Sequence, residues 1–433
     1  MGARGGECFV GVQFSRENVQ LCLCTSRGGH PLINVFPVVL CIRKTPKTLF
    51  NPEINQLHTF FPPSSISPFL HTLAPPRLVF PLSFRMDRFE ALYRLQVSAQ
   101  KVAESLAKDS PGSLRDVSLQ DSVIVSIKSI EKNGGGNDND CYPDAAYKRK
   151  VLSAVVAAVE KSGGSICSDA FTEVYGELLQ TSNVIESNPN NVVRYQTFPQ
   201  FGSPPLAIRV FPQHNDVSLR IWEANCFLIE YIFAHPELVE KKSFLELGAG
   251  CGMLGLVFVG CLQAKKAVVT DYSNECLENM LHNVEINERW LDARCSRPSS
   301  SSSPNKIDSS KIEIRNLDWT GVDETTFDDN LDMIIGCDIL YDPSDIPHIV
   351  KSCELFLFSG SRSRKILLAT TYRNSRTFDK LLAAIDSSRL KYVDLTSTGD
   401  GSERKKVPQM FPFDEMFVQG RHEVNLFLFS TEE

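Results

Sequence analysis

Apolar residues along this chain follow two different periods. From Met86 to about Leu106, Phe89, Leu92, Leu95 and Val97 form a stripe at helical spacing. Tyr147 to Val159 repeats that period, and Ser168 or Asp169 suits the cap of a further helix running to Leu179. Asn133 to Asp140 is Gly, Asn and Asp and reads as a loop, while the polar run Thr181 to Asn191 reads as a connector. These segments predict a small helical N-terminal domain.

Beyond Phe211 the pattern changes to short apolar runs alternating with helical stretches. A helix over Glu223 to Ala234 precedes a buried strand from Ser243 to Leu247, and a helix over Met253 to Leu262 follows it. Strands are predicted at Ala267 to Thr270, Ile312 to Asn316, Asp332 to Ile335, Ile366 to Ala369 and Glu423 to Phe429, with a helix over Asn274 to Ile286. The Ser-rich stretch Ser296 to Pro304 reads as an insertion. Alternation of this kind specifies an α/β fold with a doubly wound, mainly parallel sheet. Ligands in such folds bind beyond the carboxyl ends of the strands. Gly248, Asp271, Asp318-Trp319 and Asp338 all fall at such ends and outline one pocket.

Charge divides the chain. Residues 1–85 hold eight Lys or Arg against three Glu, leaving −12 on the remainder of a chain whose net charge is −7. That acidic remainder gives no reason to expect direct contact with nucleic acid. The first 85 residues are rich in Pro and Phe, show no sustained period, and lack a signal-peptide layout or an apolar run able to span a bilayer. Because Met86 opens a clean amphipathic helix, residues 1–85 read as a disordered or spurious extension, or as a transit segment. The thirteen cysteines are scattered without paired C-x-x-C spacing, so we expect reduced thiols, no metal, and a cytoplasmic protein.

The chemistry concentrates in Glu246-Leu247-Gly248-Ala249-Gly250-Cys251-Gly252, between the first sheet strand and its helix. Glycines there let backbone approach a ligand and aim amide N–H groups at it. An acid two residues before alternating glycines suits S-adenosylmethionine, with Glu246 placed to hold the ligand's amino group or to fix the loop. Gly250 to Gly255 also satisfies the dinucleotide pattern, and Asp271 lies 21 residues beyond Gly250, where a ribose-binding acid is expected. Both ligands carry an adenosine ribose, so Asp271 does not separate them.

Trp319, directly after Asp318 at a strand end, suits a purine face or an ordinary core position; Trp222 shares that ambiguity. Asp338-Ile339-Leu340-Tyr341 is a D-x-x-Y at the end of the fourth sheet strand. A carboxylate beside an amine can orient it and accept its hydrogen bond, and a tyrosine hydroxyl can narrow its approach. The competing reading has Asp338 capping the next helix and Tyr341 packing.

In this order, the motifs from Tyr147 to Phe429 resemble the elongation factor 2 lysine methyltransferase family, within the seven-β-strand, D-x-x-Y protein-lysine methyltransferases. The resemblance rests on Ile221-Trp222-Glu223-Ala224, the Glu246 to Leu256 loop, Thr270-Asp271, Leu281-His282-Asn283-Val284, Leu317-Asp318-Trp319 and Ile335 to Tyr341. Tyr372-Arg373-Asn374 and Met410 to Glu415 narrow it further. It implies a seven-stranded Rossmann-like sheet over 205–433, a substrate-recognising helical domain over 86–200, and cofactor contacts from Trp222, the Gly248 to Gly250 loop, Asp271, Trp319 and Cys337. It also implies substrate and catalytic duties for Asp338 and Tyr341. Glu246, Gly252 and Asp318 complete the candidate cofactor set. The activity expected is methylation of a lysine of elongation factor 2, with no direct nucleic-acid or membrane partner. Cys251 and Cys337 stand where smaller residues are usual. The competing functions are methylation of another protein such as a chaperone, a nicotinamide oxidoreductase, and a non-catalytic adaptor of the same fold.

Overall fold

Five helices open the part of the chain that the computed structural model describes, which comprises residues 85–108, 113–134, 141–180, 192–212, 217–295, 311–359, 363–397 and 407–431. The readings made for residues 1–84, the Ser-rich insertion and the connector at 181–191 lie outside the described residues. The helices are α1 (Arg85–Arg94), α2 (Ala99–Lys108), α3 (Val117–Gly134), α4 (Ala145–Lys161) and α5 (Asp169–Gln180). The single helix expected over Met86 to Leu106 is two, because Gln96 turns into the left-handed region at φ +49°. Tertiary contacts set that break: Gln96 donates to the Tyr195 carbonyl at 2.8 Å, and Gln196 donates to the Leu95 carbonyl at 2.6 Å. Ser168 is the cap of α5, its Oγ accepting from the Phe171 amide at 3.0 Å.

A hairpin of β1 (Arg194–Phe198) and β2 (Leu206–Val210) leads into the sheet region. There follow α6 (Glu223–Ala234), β3 (Ser243–Leu247), α7 (Met253–Leu262), β4 (Lys266–Asp271), α8 (Asn274–Ile286), α9 (Glu288–Cys295), β5 (Ile312–Asn316) and β6 (Met333–Cys337). After them come α10 (Ile346–Phe358), β7 (Lys365–Thr371), α11 (Ser375–Asp386), β8 (Tyr392–Asp394), α12 (Phe413–Met416) and β9 (Val424–Ser430). Seven strands form one sheet in the order β5-β4-β3-β6-β7-β9-β8, parallel except for β9, which runs antiparallel to both neighbours. The chain leaves β3 toward β5, then crosses back to β6. The switch point therefore lies between β3 and β6, where a crevice opens at the carboxyl ends.

Alternate residues of each strand feed opposite cores. Phe244, Ala267, Val269, Met333, Ile335 and Leu367 pack with α6, α7 and the N-terminal helices. Leu245, Leu247, Val268, Ile334, Ile366 and Leu368 pack with α10 and α11. Two covered faces explain why these strands read as continuous apolar runs rather than alternating ones.

Two polar clusters fix the rim around this core. Asn283 and Asn287 accept from the amides of Arg209 and Ala207 at 2.7 and 3.0 Å, so α8 caps the open edge of β2. Asn283 also donates to the Cys251 carbonyl at 3.0 Å, which steadies the glycine loop. On α6, Glu230 is fully buried and accepts from the amides of Met410 and Phe411 at 2.6 and 2.9 Å and from Arg421 at 2.8 Å. The Phe411-Pro412-Phe413 segment is thus core, with both phenylalanines buried. Lys101 of α2 donates to the carbonyls of Asp414 and Glu415, each at 3.0 Å, and Arg88 of α1 pairs with Glu415. The helical layer is consequently tied to the segment that precedes β9.

Candidate active site

A cavity opens at the switch point, at the carboxyl ends of the parallel strands. It is lined by Gly248, Ala249 and Gly250 after β3, by Asp271 and Tyr272 at the end of β4, and by Trp319 after β5. Cys337 at the end of β6, Asp338, Ile339 and Tyr341 just beyond it, Arg373 after β7, and Val217, Ser218, Arg220, Trp222 and Asn225 around the start of α6 complete its walls. Nine of the residues singled out in the sequence therefore meet in one place: Trp222, Gly248, Ala249, Gly250, Asp271, Trp319, Cys337, Asp338 and Tyr341. Glu246, Gly252 and Asp318 are not among its lining residues.

Why glycine occupies the loop is visible in its backbone. Gly248 and Gly250 have φ of +59° and +54°. A Cβ on Gly250 would lie 2.3 Å from the Ser218 carbonyl oxygen, and one on Gly248 would lie 2.7 Å from Ile339 Cγ2. Both the conformation and the close approach demand glycine. Gly252 stands two residues beyond Gly250, at the N-cap of α7.

Asp271 joins the two sides of the cavity floor. Its Oδ2 accepts from the Gly250 amide at 3.1 Å, and its Oδ1 accepts from the Ser273 amide at 3.2 Å. Asp318 is exposed, and its Oδ1 accepts from the Thr320 amide and hydroxyl, both at 2.8 Å, which pins the turn presenting Trp319. Trp319 packs partly on the α10 side of the core and also lines the cavity. Trp222 caps the start of α6; its Nε1 donates to the Val217 carbonyl at 2.8 Å, and Arg220 and Arg373 lie 5.3 and 5.1 Å from its ring.

Glu246 lies beneath the loop, with Oε2 buried and unpartnered. Burial pushes its carboxyl up to about 8; the Gly255 amide pulls it down, and the Asp271 charge adds to the rise. Burial likewise pushes the Cys337 thiol well up, so Cys337 serves as wall rather than nucleophile.

Asp338 has φ +52° and is buried. Its carboxylate accepts from the Thr371 amide at 2.8 Å, the Thr371 hydroxyl at 3.0 Å, the Ala224 amide at 3.3 Å, and two Arg373 nitrogens at 3.0 and 3.2 Å. It does not cap the helix that follows it, since α10 begins at Ile346 behind Asp345; the first-turn amide it meets, Ala224, belongs to α6. Tyr341 is 48% exposed, so it does not simply pack. Glu223 and Arg373, which the sequence reading used only as markers of resemblance, form the rest of this network. Arg373 reaches Glu223 Oε2 at 2.7 Å, and burial raises the Glu223 carboxyl.

These groups fit S-adenosylmethionine. The cradle excludes side chains, an acid stands at the end of β4 for a ribose diol, aromatic faces line the cavity for a purine, and an orphaned carboxyl oxygen lies under the loop.

Residues 203–385 match the family described as lysine methyltransferase. Among relatives, the chain is 24% identical to protein-lysine N-methyltransferase EFM3 of Chaetomium thermophilum, over 63% of this chain and 80% of that one. It is 23% identical to protein-lysine N-methyltransferase EEF2KMT of Homo sapiens, over 63% of this chain and 77% of that one. An uncharacterised Dictyostelium discoideum protein is 28% identical over 42% of this chain, which spans about half (53%) of that relative's length. The matched segment holds β3 to β7 and every residue of the cavity wall. Residues 203–385, which hold the whole cavity wall, thus match the lysine methyltransferase family.

Proposed function

We propose that this enzyme transfers a methyl group to a lysine of translation elongation factor 2 in the cytoplasm. The observation that carries the reading is the meeting of the D-x-x-Y residues Asp338 and Tyr341 with the glycine cradle in one cavity. The choice of elongation factor 2 is supported by the family resemblance of residues 147–429 and by the EEF2KMT and EFM3 relatives. No helix among the described residues is long and apolar enough to cross a membrane.

In this reading Gly248, Ala249, Gly250, Asp271, Trp319, Trp222 and Cys337 hold the cofactor. Gly252 at the start of α7 and Asp318 in the turn before Trp319 shape the neighbouring backbone, and Glu246 fixes the loop or meets the amino group. Held by these residues, S-adenosylmethionine would supply an electrophilic methyl on its sulfonium, with the neutral thioether as the leaving group and the lysine nitrogen as the acceptor. The lysine must arrive as a neutral amine, whereas its free ammonium titrates near ~10.4. Asp338 presents a buried, fixed carboxylate edge to the amine, and the half-exposed Tyr341 narrows its entry. In-line placement and exclusion of water are the larger contribution here, since positioning alone supplies about 7–11 kcal/mol in well-oriented reactions. Helices α1 to α5, tied to the segment before β9, offer the surface on which a folded protein substrate is gripped.

The test is transfer of label from S-adenosylmethionine to purified, unmethylated elongation factor 2 by the full chain. Label on a lysine, lost in Asp338→Asn and reduced in Tyr341→Phe while cofactor binding persists, is expected. Cofactor binding without label would discard this substrate and direct the assay to other proteins, chaperones among them. Absence of both would leave a non-catalytic adaptor.

A further inference from the structure

Two carboxylates of this site, Glu223 at the first turn of α6 and Asp338 at the end of β6, are 2% and 8% exposed, and one guanidinium answers both. Arg373 donates to Glu223 Oε2 at 2.7 Å and to Asp338 Oδ1 and Oδ2 at 3.0 and 3.2 Å. Its guanidinium carbon lies 5.1 Å from the centre of the Trp222 ring. Arg373, Asp338 and Tyr341 also line a second, smaller cleft that runs toward Thr377 and Phe378 of α11, so these three residues form the partition between two cavities.

We propose that Arg373 is a positioning residue for methyl transfer: its planar fork fixes the orientation of the Asp338 carboxylate against Glu223 and Trp222. The proposal rests on the reading of Asp338 as the residue that receives the lysine amine. Asp338 holds an unusual backbone conformation, and its own loop does not constrain its side chain. The restraint comes from Thr371, Ala224 and Arg373; Thr371 and Arg373 each reach both carboxylate oxygens, and Arg373 also ties Asp338 to the Glu223 carboxylate of α6. A lysine could match the charge of Arg373 but not its fork, which is what sets the angle of a bidentate carboxylate.

The experiment is steady-state methyl transfer with the full chain, comparing Arg373→Met and Arg373→Lys after each is shown to be folded. Arg373→Met should lower kcat about 100-fold, the scale of a misplacement of about 1 Å, with KM for the cofactor changed less than about tenfold. Arg373→Lys should recover only a minor part of that loss, because it retains the charge without the fork. An unchanged kcat in folded Arg373→Met overturns the proposal, as does an equal loss of cofactor binding that Arg373→Lys does not recover. Should Arg373→Met not fold, Glu223→Gln carries the test: removing the second anchor should lower kcat severalfold, and wild-type kcat overturns the proposal. Wild-type turnover in Asp338→Asn would instead remove the underlying reading of Asp338, and the positioning role with it.

Discussion

Asp271 Oδ2 accepts from the Gly250 amide at 3.1 Å, so the acid that ends β4 also holds the loop that follows β3. One side chain thereby shapes the cradle and faces the cavity where a cofactor ribose is proposed to lie. Asp271→Ala should weaken S-adenosylmethionine binding about 10- to 100-fold, the range for losing hydrogen bonds to a charged group. Calorimetric titration measures it, and affinity within a factor of two of wild type would remove Asp271 from the cofactor site.

Gly250 and Gly176 give a paired test of the backbone argument. Gly250 has φ +54° and a backbone carbonyl in the way of any Cβ, whereas Gly176 lies inside α5 with nothing within 4 Å of a Cβ. Gly250→Ala should destabilise the fold by at least about 1–2 kcal/mol, the cost of the left-handed region alone, and should abolish cofactor binding. Gly176→Ala should stabilise the chain by about 0.5–1 kcal/mol through helix propensity. Denaturant unfolding of both variants decides it, and equal effects would contradict the geometry.

Arg421 neutralises a fully buried Glu230, which also accepts from the amides of Met410 and Phe411. Arg421→Met should cost about 3 kcal/mol by leaving an unpaired buried carboxylate. Glu230→Gln in the Arg421→Met background should return part of that stability, since it removes the charge. Lack of any recovery in urea unfolding would mean that the arginine's packing, and not its charge, matters.

The sheet was legible because its strands are buried on both faces. Runs such as Phe244 to Leu247 and Ile366 to Ala369 need no partner to be recognised, and the helices α6, α7 and α8 begin and end at the residues expected from their pattern. The rim residues were legible because strand ends and glycine turns carry local signals. What escaped depends on distant partners. The β1–β2 hairpin is short and only half buried at Arg194 to Gln196, and its edge is completed by Asn283 and Asn287 some 75 to 80 positions later. The break between α1 and α2 contains neither Gly nor Pro; contacts with Tyr195 and Gln196 impose it. The ion triad was hidden for the same reason, since Glu223 and Arg373 are separated by 150 residues. Phe411 and Phe413, which served in the sequence only as marks of the resemblance, prove to be core.

Glu246 should make stability depend on pH in a direction opposite to that of a salt-bridged acid. Burial raises its carboxyl from 4.5 to about 8, so between those values the folded chain binds a proton that the unfolded chain has released. Stability then falls as pH rises, because the native state holds more protons. The contribution is greatest below about 4.5, declines through the interval, and is gone above about 8. Glu246→Gln is neutral at every pH and lacks this slope. The difference in unfolding free energy between wild type and Glu246→Gln should therefore move against wild type from pH 5 to pH 9. Urea unfolding of both proteins at pH 5, 7 and 9 measures it. A difference that stays level would show that Glu246 is ionised in the fold and that its Oε2 has a partner in solution.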